Sequence, residues 1–457
     1  MRTVGSTVSV SPAGPLVGRL SVPGDKSISH RALFMAAMAK GRTVIRGLGD
    51  GADVRSTAAA MVRLGVELSP LGPLVTADSP GWAGLSEPED IIDAGNSGTT
   101  TRLLAGLVAS RPFHTVITGD RSLQARPMAR VAEPLRAMGA RVSGRLGGSA
   151  LPLSIDGAAL KAVDWALPVA SAQVKTALIL AALGAAGTST ITEPRATRDH
   201  TERLLAAFGG EVERREMTSG VALIVRGGQV LRPADVRVPG DPSSAAFFLA
   251  AAAVVDGSDV TVEGVGLNPT RTAFIDVLLA MGAGVTVQPD PTGVRAAEPY
   301  GSIRVRGSSR LRGVTFDPSL IPQLIDEVPV LAVVAALAEG RTVVSGAAEL
   351  RHKESDRIEG TARLVRLAGG RAEVTPDGLV IEGRGAVDGL EVFDCSGDHR
   401  LAMAAAVAAI GSNRRVTITG ADAAGVSYPG FWADLASLGA RVQTEPGEQR
   451  SEPGEQR

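Results

Sequence analysis

The chain of 457 residues has one cysteine, Cys395. A disulfide framework is excluded, and a cysteine-rich metal site with it. A reducing cytoplasm is the expected compartment. No run of one charge sign is present, and the formal net charge is −1. Nucleic acid and anionic membrane are therefore not expected as partners. Long hydrophobic runs are also missing. The N-terminal "MRTVGSTVSVSPAGPLVGRL" carries no apolar signal core, and runs such as "ALILAALGAA" (177–186) are Ala-rich and too short to span a bilayer. What remains is an ordinary globular composition, 44% hydrophobic and 21% charged. At this length two or three domains are expected. The polar, self-repeating end "EPGEQRSEPGEQR" (445–457) reads as a disordered tail.

Two kinds of repetition organise the rest. "VPGDKSISHRALFMAA" (22–37) and "VPGDPSSAAFFLAAAA" (238–253) open on the same four residues and run into apolar helix. A glycine after an apolar helical pattern recurs six times, at Gly65, Gly139, Gly209, Gly282, Gly369 and Gly439. Val- and Thr-rich phrases such as "GRTVIRG" (41–47) and "GRTVVSG" (340–346) lie upstream. The unit reads strand, loop, helix, glycine cap, strand. Six such units suit two similar α/β domains of three units each. The paired VPGD phrases mark two crossings, near 20–23 and 237–241. The expected domains are 23–239, and 1–22 plus 240–444. A cleft between similar halves is a usual small-molecule site.

Charged and small polar residues gather where loops enter apolar helices. "GDKSISHR" offers Lys26, Ser27 and Arg31 at a helix start near Ile28. Free N–H groups and the dipole make such a start an anion site, although the Walker A spacing is absent. "DAGNSGTTTRLL" (93–104) brings Asn96, Ser97 and Gly98, where backbone can approach a ligand closely. "GDRSLQARPM" sets Arg126 before Pro127. "PVASAQVK" opens a helix on Ser171, Ala172 and Gln173, and "EPRATRDHTE" carries Arg195, Arg198 and His200, the histidine read as structural. In the second half, Asp326 and Glu327 precede an apolar helix, "RHKESDR" (351–357) packs Lys353, Glu354 and Arg357 together, and Asp398, His399 and Arg400 head an Ala-rich helix. A capped helix start or a solvated face explains each stretch alone. Together they aim five or more cations at one cleft, which calls for phosphate and carboxylate guests. Asp326 and Glu354 supply acid–base capacity. No metal cluster or dinucleotide fingerprint accompanies them, so no cofactor and no metal is expected.

"PGDKSISHR", "GNSGTT", "ARPM", "SAQVK", "TRDHTE", "PGDPSS", "NPTRT", "IDE", "KESDR" and "DHR", in that order over residues 18–442, resemble the 5-enolpyruvylshikimate-3-phosphate synthase family, in the branch found in Bacillus-type bacteria. The resemblance implies the enolpyruvyl transferase fold: two similar domains, each an inverse α/β barrel of three repeated strand–helix units, closing on substrate. It implies transfer of the enolpyruvyl group of phosphoenolpyruvate to shikimate 3-phosphate by addition and elimination, and a monomer whose partners are those two small molecules. It carries residue roles as well. Lys26 would contact both substrates. Ser27, Arg31, Ser171, Ala172, Gln173, Arg198, Asp326 and Lys353 would hold shikimate 3-phosphate. Asn96, Gly98, Arg126, Gln173, Arg357 and Arg400 would hold phosphoenolpyruvate. Asp326, Glu354 and Lys26 would be catalytic.

One departure is visible: Val426 in "GVSYPGF" stands where some family members have a lysine. The sister transferases acting on UDP-N-acetylglucosamine use a loop cysteine in the first domain, whereas Cys395 lies beside "SGDHR". A non-catalytic repeat scaffold would give acids and cations no reason to coincide at helix starts. Two further expectations follow. Cations facing each other across an empty cleft should repel until a dianion binds. A methyl group on Gly98 should intrude directly on the phosphoenolpyruvate site, and on the family's inhibitor glyphosate more strongly.

Overall fold

The computed structural model describes residues 6–11, 14–293, 297–307, 310–383, 391–412 and 414–445. The expected tail lies outside them except Glu445, which ends a strand. Six helices are buried on nearly every side: α1 (Lys26–Met38), α2 (Gly98–Val108), α3 (Ala172–Leu183), α4 (Pro242–Val254), α5 (Val328–Leu337) and α6 (His399–Gly411). In α4 every residue from Pro242 to Ala253 is buried. Such Ala-, Leu- and Val-rich helices have no polar face to offer water, so they form the interior.

Around these helices one unit recurs six times. After α1 come the strand Gly41–Arg46, the amphipathic helix Ala52–Arg63, Gly65, and the strands Glu67–Leu68 and Leu74–Ser79. The other inner helices are followed by the same order, with glycines at 139, 209, 282, 369 and 439, except that the last unit takes its final strand from Thr7–Ser11. All six glycines have positive φ, between 77° and 112°. That is the left-handed conformation in which a helix ends cheaply only with glycine. Among the described residues the strands form five four-stranded sheets and one three-stranded sheet. Burial alternates along strands such as Leu74–Ser79 and Thr188–Glu193, so the sheets keep one face outward. Among the described residues no ladder closes three sheets into one continuous barrel.

Two separate apolar cores result. One contains residues from Ile28 to Val238. The other joins Val8, Val10, Leu16 and Val22 to residues from Ala245 to Ala440. The edge strands are exchanged where the chain passes between them. Val17–Ser21, which leads into α1, pairs in parallel with Asp259–Gly266 of the second core. Asp235–Arg237, which leads into α4, pairs in parallel with Gly41–Arg46 of the first. The N-terminal strand Thr7–Ser11 lies between Val416–Thr419 and Arg441–Glu445.

The two VPGD phrases meet at this exchange. The Asp25 N–H donates to Pro239 O at 2.8 Å, and the Asp241 N–H donates to Pro23 O at 2.9 Å. A Cβ on Gly24 would come 1.8 Å from Gly47 O, so the approach requires glycine there. Asp25 caps α1 and Asp241 caps α4. Buried Arg271, of the "NPTRT" phrase, pairs with Asp25 at 2.6 Å and Asp241 at 3.0 Å. It also donates to Ser243 Oγ at 2.8 Å. Burial opposes the charge on this guanidinium, and the two aspartates outweigh it.

No single described helix is long and apolar enough to cross a membrane. The bent pair Pro318–Leu324 and Val328–Leu337 passes by composition only, and Val328–Ala336 is buried in the second core.

Replacing Arg271 with methionine strands two buried carboxylates. Removing one partner of a buried ion pair costs about 3–5 kcal/mol. Denaturant unfolding of Arg271→Met is expected to show a loss of that order; a loss below about 1 kcal/mol would mean that the crossings are held by something else.

Candidate active site

The N-termini of all six inner helices open into one cavity of about 430 Å³. Its wall includes Lys26 at the start of α1, Gly98 of α2, Ala172 of α3, Asp241 before α4, Asp326 just ahead of α5, and Arg400 of α6. Local chemistry fixes each start. Asp25, Ser97, Ser171, Asp241 and Asp398 each accept a backbone N–H of the first turn of their helix. Several helix dipoles therefore point their positive ends into one space, which favours anions.

Most residues singled out in the sequence line this cavity: Lys26, Ser27, Gly98, Arg126, Ser171, Ala172, Gln173, Arg198, Asp326, Lys353, Glu354, Arg357 and Arg400. α1 begins at Lys26 rather than near Ile28, which puts Lys26 and Ser27 in its first turn. Arg31 and Asn96 stand behind the wall. Arg31 is 2% exposed, and its guanidinium donates to Thr201 Oγ1, Ser27 O and Thr176 Oγ1 at 2.8–2.9 Å. Asn96 accepts from Arg126 Nη2 at 2.5 Å and donates to Asp120 at 2.6 Å. Each thus touches the site through a neighbour.

Opposite charges from the two cores meet across the space. Arg198 pairs with Asp326 at 2.6 Å, and Arg126 lies 3.8 Å from Glu354. Arg357 contacts Glu354 at 2.6 Å, Asp398 at 2.8 Å and Asp326 at 3.3 Å. Repulsion across an empty cleft is therefore not what this structure has, because carboxylates already neutralise the arginines. Burial would raise the Asp326 carboxyl, but Arg400, Arg198, Lys353 and Arg357 hold it well below the usual carboxylate range. Glu354 is held low against burial too, chiefly by Arg357. Burial lowers Lys353, and Arg357 adds to the effect. Burial, Lys26 and Arg400 push His399 down to about 3, so it lines the cavity as a neutral imidazole.

Several wall residues had no assigned role in the sequence reading. Asp53 accepts from Lys26 Nζ at 3.0 Å. Arg102, Arg130 and Arg271 also line the space. Arg102 follows Gly98 by one helical turn, a spacing that puts both on one face. The space beside Gly98 differs from expectation: a Cβ there would meet Arg102 Nη1 at 2.7 Å and Arg126 Nη1 at 3.3 Å. A methyl group there would displace the end of the Arg102 side chain. Val426 is not on the wall, and its carbonyl lies against Gly51. Cys395 is buried, donates to Gly420 O at 3.0 Å, and has its thiol pushed up to about 11 by burial. Histidine 200 is structural: it is 1% exposed and pairs with Glu298 at 2.7 Å. Among the described residues no group of three or more His, Cys, Asp or Glu could hold a metal ion.

The family model for EPSP synthase (3-phosphoshikimate 1-carboxyvinyltransferase) matches residues 10–435. The chain belongs to the EPSP synthase family. A 3-phosphoshikimate 1-carboxyvinyltransferase of Bacillus licheniformis is 48% identical over 427 residues, covering 93% of this chain and 98% of that relative. One of a Synechococcus species is 49% identical over 433 residues, covering 94% and 96%. The solved EPSP synthase of Acinetobacter baumannii superposes with a TM-score of 0.85 at 40% identity, over 96% of this chain and all of that one. The enolpyruvyl transferase NikO of Streptomyces tendae, 19% identical, shares the fold with a TM-score of 0.77 over 97% of this chain and 99% of its own. The architecture is thus the two-domain enolpyruvyl transferase fold of this family, with inner helices surrounded by sheets in each half.

The low-lying carboxylates set a pH dependence. The unfolded chain binds protons near a carboxylate's ordinary value of about 4, whereas folded Glu354 binds them only well below it. Its stabilising share is present above the ordinary value and is lost as pH falls toward the folded one. Chemical unfolding between about pH 5 and pH 3 should weaken less steeply in Glu354→Gln than in the parent; equal slopes would mean that Glu354 is not held low.

Proposed function

We propose that this cavity carries out the family's reaction, with the wall divided between two anionic substrates. Phosphoenolpyruvate plus shikimate 3-phosphate gives 5-enolpyruvylshikimate 3-phosphate plus phosphate, in the shikimate route to chorismate and the aromatic amino acids. The observation that carries the reading is the convergence of helix N-termini and arginines on one space, with two carboxylates among them. Ser27, Ser171, Ala172, Gln173, Arg198 and Lys353 take shikimate 3-phosphate, with Arg31 supporting Ser27 and Ala172 from behind. Gly98, Arg126, Gln173, Arg357 and Arg400 take phosphoenolpyruvate, and Asn96 steadies Arg126. Lys26, held by Asp53, lies between the two groups of residues.

Asp326 is a weak base while four cations surround it. A phosphate dianion on Arg198 and Lys353 diverts two of them and restores basicity at the moment it is needed. Asp326 then takes the proton of the 5-hydroxyl as that oxygen attacks C2 of phosphoenolpyruvate. Glu354 gains a proton more readily once a second anion occupies Arg126 and Arg357, and it delivers that proton to the methylene carbon. In the elimination step Glu354 takes a proton back from the methyl group, and the proton on Asp326 leaves with phosphate. Lys26 is one of the cations that hold Glu354 low. Two domains built on the two cores close over the substrates at the paired VPGD crossings. All of these groups come from one chain, so the reading requires no second subunit, and it takes place in the cytoplasm.

Loss of a general acid or base slows turnover by about 10²–10⁴. Asp326→Asn and Glu354→Gln keep shape and are expected to lose that much, with shikimate 3-phosphate binding retained by calorimetry. Phosphate release from phosphoenolpyruvate on adding shikimate 3-phosphate is the assay. A parent protein with no such release would refute the function, and a variant at near-parent rate would refute that residue's role.

A further inference from the structure

Arg102 has no role in the reaction as argued so far, although it is the most connected side chain at one end of the cavity. It lies on α2, one turn beyond Gly98. Long helical side chains lean toward the helix N-terminus, so its guanidinium returns over the start of its own helix. Nη1 donates to Gln173 Oε1 at 2.6 Å and to Gly98 O at 3.3 Å, and Nη2 donates to Pro127 O at 3.3 Å. Gln173 completes its amide by donating from Nε2 to Thr99 Oγ1 at 2.9 Å. One planar fork therefore ties together three separate segments: the start of α2, the Arg126–Pro127 loop, and the start of α3.

We infer that Arg102 is the positioning residue of the phosphoenolpyruvate half of the site, and that Gly98 is glycine to leave room for its guanidinium. The inference rests on the assignment of Gly98, Arg126 and Gln173 to phosphoenolpyruvate made above. Three facts carry it. The segments that Arg102 joins are the ones that bear those three residues, and none of its acceptors belongs to the shikimate 3-phosphate group alone. The space a Cβ at Gly98 would need is already occupied by Arg102 Nη1 at 2.7 Å. Arg102 is also packed beside two further cavity arginines; burial first, and then Arg126 and Arg130, push it down to about 10. Lysine does not replace the fork, because a single ammonium lacks the planar pair of nitrogens that spans Gln173 and Pro127.

The role gives a split that a general structural defect does not. Hydrogen bonds from a charged donor contribute about 1.5–3 kcal/mol, equivalent to roughly ten- to a hundredfold in affinity. In Arg102→Lys the KM for phosphoenolpyruvate should rise by that factor, while calorimetric affinity for shikimate 3-phosphate stays within about twofold of the parent. Equal weakening of both ligands, or an unchanged KM for phosphoenolpyruvate, would overturn the proposal.

A double-mutant cycle tests the glycine. Gly98→Ala should raise the KM for phosphoenolpyruvate in the parent, and raise it much less in an Arg102→Ala background, where the methyl group has nothing to displace. The same factor in both backgrounds would refute the route through Arg102. Should Arg102→Ala fail to fold, Arg102→Lys serves as the second background, since its slimmer head leaves the Cβ position free. Phosphate release by the parent protein separates the outcomes: without it the assignment of substrates fails, and with it only the role of Arg102 is at stake.

Discussion

Arg271 between Asp25 and Asp241 is the contact on which the rest of the molecule depends. Each aspartate caps one inner helix, and each stands at one passage of the chain between the two cores. The same arginine sits in the cavity wall, and the same Asp241 accepts the backbone N–H of Lys26 at 3.2 Å. One buried cation thus fixes where two helices begin, how two chain passages meet, and where the amine expected to touch both substrates is presented. A buried guanidinium with two carboxylates is poor evidence for stability gained. Its value here is registry: it ties the two chain passages and the two helix starts together in one arrangement.

The cavity follows the same logic on a larger scale. Helix N-termini and arginines make an anion-seeking space, and the acids proposed to serve the chemistry are its resident counter-ions. Asp326 and Glu354 are held ionised by the cations they accompany. In the proposed reaction substrate anions compete for those cations, so that binding and activation of the bases become one event rather than two. The neighbouring Glu327 behaves oppositely: burial raises its carboxyl, and it accepts a hydrogen bond from the Ser243 hydroxyl, which in turn accepts from Arg271. Adjacent acids in "IDE" thus hold opposite charge preferences because one faces the arginines and the other faces the junction.

Much of this was legible in the sequence because it is written locally. A glycine that must adopt positive φ is a one-residue signal, and all six adopt it. The paired VPGD phrases marked the places where the chain changes core. The lining residues were visible because helix starts carry small polar caps beside charges. What was not legible depends on long-range pairing. Arg271 is 246 residues from Asp25, and nothing in "NPTRT" states that the two meet. The resemblance placed Arg31 among the expected shikimate 3-phosphate contacts, but no local pattern states that its guanidinium also joins Ser27, Thr176 and Thr201. Arg102 was overlooked because an arginine inside a helix has an ordinary solvated meaning, and only the folded loop at Pro127 and the amide of Gln173 give it another. The six strand–helix units were legible because strand content and glycine caps are local, whereas which strands pair across the chain is not.

The exchanged edge strands also bear on how the chain comes to be folded. Thr7–Ser11 leaves the ribosome long before its partners Val416–Thr419 and Arg441–Glu445. Val17–Ser21 likewise waits for Asp259–Gly266. The first-made strands must remain unpaired through most of synthesis, with their hydrogen-bonding edges open, and contacts so distant in sequence form slowly. Strand Thr7–Ser11 is short, and its serines and threonine alternate with two valines, Val8 and Val10. That restraint suits a segment which has to stay soluble and unclaimed by neighbouring chains until its own C-terminus arrives.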